Sequence, residues 1–127
     1  NAELVANFLK NHSKVNYVSW AGFKENIYHQ LAKKYFKNGF GSVFTFSVKS
    51  GYEGAIQLVE NCNLISHLAN VGDTRSLIVH PASTTHRQLS NEQKEKSGVG
   101  DSIIRLSIGL ESHKDIIADL EGALSTI

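Results

Sequence analysis

An arginine stands in the middle of an apolar run, Ile103-Ile104-Arg105-Leu106-Ser107-Ile108-Gly109. A guanidinium is costly to desolvate, and its rigid fork matches the geometry of a carboxylate or phosphate, so this placement predicts an anion facing Arg105. As a strand, the run turns Ile104, Leu106 and Ile108 to a packed face and Ile103, Arg105 and Ser107 to the other. The residues leave two kinds of anion open. One is a carboxylate on a ligand, gripped bidentately; the other is an Asp or Glu in a buried or interdomain ion pair.

Few other residues are spaced for chemistry. Histidines at 12, 29, 67, 80, 86 and 113 are dispersed, and no close Cys/His or His-Glu-x-x-His spacing predicts a metal site. His80, at the end of an apolar segment, has no oriented partner in the sequence and is expected to be structural. Lys49 is the ordinary exit of a strand before Ser50-Gly51 rather than a Schiff-base lysine. Cys62 follows the apolar period of its helix and is expected to be a structural thiol. Gly39-Phe40-Gly41 is a turn, since no dinucleotide or Walker motif surrounds it. Asn11-His12-Ser13 matches a glycosylation sequon, but without secretory context it carries little weight.

Length and charge bound the rest. The 127 residues suffice for one domain, and 41% apolar with 20% charged residues is globular composition. A formal charge of +1 gives no long-range pull on nucleic acid or acidic membrane. The basic cluster Lys33, Lys34 and Lys37, interleaved with Tyr35 and Phe36, fits the solvated end of a helix. A lone cysteine points to a reducing compartment, the cytoplasm, and neither a membrane-spanning run nor a signal sequence occurs. The start at Asn1-Ala2-Glu3, already helical in pattern and without methionine, is expected of a processed chain or a fragment.

The elements that must position Arg105 follow from periodicity. Residues 2 to 10 predict a helix with Leu4, Val5, Phe8 and Leu9 on one side, and 15 to 20 a short strand. Asn26 is the expected cap of a helix carrying Ile27, Leu31, Ala32, Tyr35 and Phe36 at helical spacing. Residues 42 to 48 alternate as an inner strand, and a helix follows with Ala55, Ile56, Val59 and Cys62. Residues 74 to 80 predict a third strand, closed by Pro81. Residues 82 to 100 are irregular, with a polar helix within 91 to 96. The Arg105 strand then leads to Ser112-His113-Lys114-Asp115, a capping-box pattern opening a helix with Ile116, Ile117, Leu120, Ala123 and Leu124 inward. The whole predicts an α/β two-layer sandwich: a small, mostly antiparallel sheet covered on one face by helices.

Two stretches carry a family resemblance: Leu68-Ala69-Asn70-Val71-Gly72-Asp73-Thr74-Arg75-Ser76-Leu77-Ile78-Val79-His80-Pro81-Ala82-Ser83-Thr84-Thr85-His86, and Ile104 to Glu111. Together with Leu31-Ala32-Lys33-Lys34-Tyr35 and Phe44-Thr45-Phe46, they resemble the C-terminal domain of the O-acetylhomoserine sulfhydrylases. These are pyridoxal-phosphate-dependent Cys/Met metabolism enzymes of aspartate-aminotransferase-like fold (fold type I). The resemblance covers residues 1–127 as one small domain and about the last third of such an enzyme.

The resemblance implies roles. Arg105 would bind the α-carboxylate of the amino-acid substrate, the Asn70-Val71 loop would assist through its backbone, and Thr85 would border the pocket. Related lyases often carry Glu-Ser-Leu-Gly-Gly in that loop, so Asn70-Val71-Gly72-Asp73 points to the sulfhydrylase subgroup. The pyridoxal 5'-phosphate, its lysine and its anchors would belong to a large N-terminal domain absent from this chain, and the isolated chain would be inactive. The intact enzyme, a homotetramer by resemblance, would convert O-acetyl-L-homoserine and sulfide to L-homocysteine and acetate. The alternative is an independent α/β ligand-sensing or protein-binding module.

Overall fold

Alternation and helical periodicity produce one five-stranded sheet and its helices. The computed structural model describes residues 1–70 and 72–127, with Glu95 in its backbone only. In chain order the helices are α1 (Ala2–Asn11), α2 (His29–Tyr35), α3 (Gly51–Asn61), α4 (Asn91–Lys96) and α5 (His113–Ser125), with a 3-10 turn at Pro81–Ser83. The strands are β1 (Val15–Ser19), β2 (Val43–Val48), β3 (Ser66–His67), β4 (Leu77–Val79) and β5 (Ile103–Ser107). Their spatial order is β1-β2-β5-β4-β3, antiparallel throughout except for the parallel β3–β4 pair. The mostly antiparallel α/β sandwich expected from the sequence is therefore the observed fold, and β2 is an inner strand as its apolar alternation requires.

One face of the sheet makes the core. Phe44, Phe46 and Val48 of β2, Ile104 and Leu106 of β5 with Ile108 just beyond it, and Ile78 of β4 join a single apolar cluster. The cluster is closed by Val5, Ala6 and Leu9 of α1, Ala55, Leu58 and Val59 of α3, and Ile116, Leu120, Ala123 and Leu124 of α5. Burying a leucine or isoleucine side chain contributes about 1.5–3 kcal/mol, so this layer fixes which face of β5 points away from the helices. The opposite face carries Tyr17, Thr45, Arg105 and Val43, with Tyr17 and Val43 exposed.

Several local expectations are corrected. The second helix starts at His29, with Tyr28 rather than Asn26 at its N-cap position; Asn26 sits in the turn before it, its Oδ1 accepting the Tyr28 N–H and its carbonyl the His29 N–H, each at 2.9 Å. Of its expected apolar stripe only Ala32 is buried; Ile27, Leu31, Tyr35 and Phe36, with Tyr28, are exposed. The segment is held by His29, whose Nδ1 lies 2.8 Å from the Ala21 carbonyl and whose ring stacks on Phe40, and by Trp20 edge-on to Phe23 and Phe40. Ser112 occupies the N-cap of α5, but its side chain makes no capping bond, so the capping box is not formed. β4 begins only at Leu77: the Ser76 carbonyl still accepts the Ser66 N–H of β3 at 3.0 Å, but its own N–H and hydroxyl go to the Glu111 carboxylate.

Cys62 and His80 are committed to the structure. The Cys62 thiol donates to the Leu58 carbonyl at 3.5 Å, and burial, reinforced by the nearby Asp119 carboxylate, pushes its pKa up to about 12. His80 is 1% exposed, with Nε2 2.7 Å from the Asp101 carbonyl and Nδ1 2.8 Å from the Ser83 hydroxyl. A carbonyl only accepts, so Nε2 carries the hydrogen and Nδ1 accepts from Ser83. Burial holds the His80 pKa below the usual histidine value, outweighing the favourable Asp101 carbonyl and charge; Lys94 and His67 add repulsion. An unfolded histidine takes up a proton near pH 6.5 whereas folded His80 resists it, so its contribution is complete above that value and lost as pH falls toward the folded pKa. Thermal melting between pH 7.5 and 5.5 is therefore expected to fall more steeply for the native chain than for His80→Gln; equal slopes would contradict this.

Candidate functional site

Strand β5 delivers Arg105 to the face opposite the helices. In the register, Arg105 lies between Thr45 of β2 and Val79 of β4, while the adjacent Ile104 and Leu106 are fully buried on the core side. The backbone is thus anchored on both sides, and Arg105 remains partly exposed. One of its terminal nitrogens points at the Asn70 carbonyl, 3.5 Å away. Among the described residues, no Asp or Glu lies within ion-pair distance of its guanidinium. Of the two anions the sequence left open, an internal carboxylate is not observed among the described residues, where the guanidinium's hydrogen bond is the one to Asn70.

Asn70 belongs to the loop between β3 and β4, which is tied down at several points. The Asp73 carboxylate accepts the Arg75 backbone N–H at 3.0 Å and binds the Arg75 guanidinium at 3.1 and 3.3 Å. These hydrogen bonds, Arg75 first, hold the Asp73 pKa down to about 2. At the far end of the loop, Glu111 accepts the Ser76 backbone N–H at 2.7 Å and the Ser76 hydroxyl at 2.8 Å. Partial burial raises the Glu111 pKa, but the Ser76 hydrogen bonds outweigh it and leave it below the usual carboxylate range. The Ser76 hydroxyl in turn accepts the Gly109 N–H at 2.9 Å, and Leu110 N–H reaches the Thr74 carbonyl at 2.9 Å.

This second anchor lies just beyond Arg105 on the same chain, so the end of β5 and the loop carrying Asn70 are stitched together. Gly109 makes the contact possible: a Cβ there would sit 2.4 Å from the Thr74 carbonyl oxygen and 2.5 Å from the Ser76 nitrogen. Asp73, Ser76, Gly109 and Glu111 were not singled out from the sequence. Asp73-Thr74-Arg75, opposite charges two apart after a glycine, and Glu111 close after the arginine strand were the available signals.

The other expected site residues are placed differently. Val71 lies outside the described residues. Thr85 follows the 3-10 turn, is exposed, and its Oγ1 sits 2.8 Å from His86 Nδ1. It lines an open groove of about 640 Å³ formed by Thr84 to Leu89. That groove has no lining residue in common with the Arg105–Asn70 contact, so the structure joins Arg105 to Asn70 but not to Thr85 through any hydrogen bond among the described residues.

Pyridoxal phosphate requires a lysine amine, a carboxylate for the ring nitrogen and a stacking ring in one cavity. Five surface grooves among the described residues are lined without a lysine. Lys10 is engaged by Glu25 over the Phe23 ring, and Lys96 by Glu92 on the exposed α4. Lys49, on the turn after β2, is exposed. Among the described residues, these grooves and lysines do not fit the cofactor as its covalent holder. Among the described residues, no cluster of three or more His, Cys, Asp or Glu could hold a metal, and no helix is long and apolar enough to cross a membrane.

Comparison with known proteins places this geometry. The sequence model of the Cys/Met metabolism PLP-dependent enzymes matches residues 1–125. The chain is 47% identical over 121 residues to O-acetyl-L-homoserine sulfhydrylase 1 of Thermus thermophilus, covering 95% of this chain and 29% of that protein. It is 42% identical over 127 residues to an L-methionine gamma-lyase of Fusobacterium nucleatum subsp. polymorphum, covering all of this chain and 32% of that protein. Among solved structures, a Campylobacter jejuni chain assigned as an O-acetylhomoserine (thiol)-lyase, with N'-pyridoxyl-lysine-5'-monophosphate, superimposes with a TM-score of 0.91 at 46% identity over 98% of this chain and 30% of its own. The chain thus spans less than a third of the relatives it matches. Matched by the family model over residues 1–125 and superimposing on a solved relative across nearly its full length, the chain belongs to the Cys/Met metabolism PLP-dependent enzyme family.

Proposed function

We propose that this chain is the C-terminal, substrate-carboxylate-binding portion of an O-acetylhomoserine sulfhydrylase whose intact form converts O-acetyl-L-homoserine and sulfide to L-homocysteine and acetate. The observation that carries this reading is Arg105: a guanidinium on the sheet face away from the helices, steadied by the Asn70 carbonyl at 3.5 Å and facing no carboxylate among the described residues. A substrate α-carboxylate is the missing anion, held by paired N–H donors whose planar fork fixes its orientation. Arg105 moves no proton in this account. It sets the angle at which the rest of the substrate projects toward the reacting groups, which belong to the part of the enzyme outside this chain.

Asn70 and Val71 supply the loop beside the carboxylate, and Thr85 borders the wider pocket. The pyridoxal phosphate is bound by the large N-terminal domain. The intact protein acts as a cytoplasmic homotetramer. The test is turnover by the full-length protein loaded with pyridoxal phosphate: homocysteine and acetate should form in equal amounts from O-acetyl-homoserine, dependent on sulfide. A loaded protein that forms no homocysteine, or that releases 2-oxobutanoate whether or not sulfide is present, would overturn this reading in favour of another reaction of the family.

A further inference from the structure

The large apolar side chains left exposed among the described residues are not scattered. Tyr28, Leu31, Tyr35 and Phe36, with Ala21 and Ala32, line a groove of about 220 Å³ that carries no charged side chain. Ile27, 84% exposed, opens onto a second groove of about 290 Å³ that Tyr17 also lines. Tyr17 stands on the sheet face that carries Arg105, so the apolar surface runs from α2 onto that face. The surface has a firm base, because Ala32 and His29 are buried and the His29 ring stacks on Phe40. Its exposed side chains offer on the order of 500 Å² of apolar area, where a folded chain on its own rarely leaves more than a few hundred in one patch. A matching surface brings the total to about 1,000 Å², within the range of interfaces between parts of one polypeptide.

The rim of this surface is basic. Lys24, Lys33, Lys34 and Lys37 are exposed, and none of them pairs with a carboxylate among the described residues; Glu25 is taken by Lys10. Two copies set face to face on this surface would oppose lysine to lysine, which like charges disfavour. An apolar occupant edged with carboxylates meets both the centre and the rim. The relatives supply the length for one, since this chain spans less than a third of each and most of the polypeptide lies outside it. We propose that the α2 surface docks an apolar segment flanked by Asp or Glu, contributed by the part of the same polypeptide outside these 127 residues. The inference rests on the reading of this chain as one portion of a longer enzyme. It adds where that remainder grips the chain, and with what chemistry.

The experiment uses the full-length enzyme loaded with pyridoxal phosphate, assembled from a mixture of unlabelled and nitrogen-15-labelled subunits. A carbodiimide, which joins an amine to a carboxylate only where they touch, is applied and the linked peptides are identified by mass spectrometry. Links are expected from Lys33, Lys34 or Lys37 to an Asp or Glu outside this chain, with both peptides carrying the same label. Leu31→Asp, which puts a charge in the groove, is expected to lower the yield of these links about tenfold. Hydroxyl-radical oxidation is measured beside it: Tyr35 and Phe36 should be protected in the native enzyme, as the fully buried Phe46 is, and react freely once urea unfolds it. Links that join differently labelled peptides would overturn the inference in favour of a second copy. Tyr35 and Phe36 oxidised as fast in the native as in the unfolded enzyme would overturn it because nothing covers the surface, and protection without any such link would overturn the acidic character of the occupant. Same-label links in a protein that makes no homocysteine would leave the docking surface standing and remove only the sulfhydrylase reading.

Discussion

Replacing Arg105 with alanine in the full-length enzyme is expected to lower kcat/KM for O-acetyl-homoserine by about 10² or more, because charge-assisted hydrogen bonds contribute about 1.5–3 kcal/mol each and a bidentate grip makes two. The loss should come with little change in stability. Arg105 makes one long contact, to the Asn70 carbonyl at 3.5 Å, and no ion pair among the described residues. Arg105→Lys keeps the charge but loses the planar fork, so it should fall between native and alanine, closer to alanine. Steady-state kinetics with melting curves on the same preparations check both statements. An alanine variant that melts far below the native protein would instead mean that Arg105 is structural.

Gly109→Ala should have the largest effect on folding. The added Cβ would meet the Thr74 carbonyl oxygen at 2.4 Å and the Arg75 carbonyl carbon and Ser76 nitrogen at 2.5 Å, all backbone atoms that cannot swing aside as a side-chain tip can. Relief requires the loop to move off β5, which would break the Gly109 N–H to Ser76 hydroxyl bond at 2.9 Å and strain the Leu110 N–H to Thr74 carbonyl bond. Overpacking of this kind costs about 1–3 kcal/mol, occasionally more. The same shift would carry Asn70 away from Arg105, so Gly109→Ala combines a lower melting temperature with a raised KM. A contrast is Gly122→Ala in α5, where a Cβ meets nothing within 4 Å and the helix gains an alanine. A Gly109→Ala protein as stable as the native one would show that this close approach is not rigid.

The arginine strand was legible because the physics is local. Ile104, Leu106 and Ile108 alternate with Ile103, Arg105 and Ser107, and a period of two can bury only one of the two sets against helices. The partner of Arg105 was not legible from the residues in the same way, since Asn70 is 35 positions away and its carbonyl has no side-chain signature; only the family resemblance pointed to that loop. Helix α2 marks the limit of periodicity. Ile27, Leu31, Ala32, Tyr35 and Phe36 recur as a core-facing stripe would, yet only Ala32 is buried, because the pattern states which residues share a side and not what covers it. Ser112 fails as a side-chain cap for a related reason: the motif permits a hydrogen bond, but the rotamer decides it. The residues 74 to 76 were read as strand because β-branched and apolar neighbours follow them. Glu111 and Gly109 instead take the Ser76 N–H and hydroxyl into the anchor beside the anion site, leaving only its carbonyl to pair with β3.

The most direct measurement is a substrate–enzyme cycle on the α-carboxylate. Native enzyme and Arg105→Ala are each assayed with O-acetyl-homoserine and with its α-carboxamide, which keeps the shape but not the charge. If Arg105 grips that carboxylate, the alanine change costs about 10² in kcat/KM with the acid and little with the amide, and the two losses overlap rather than multiply. Losses that multiply independently would show that the carboxylate is held elsewhere and that Arg105 faces a different anion.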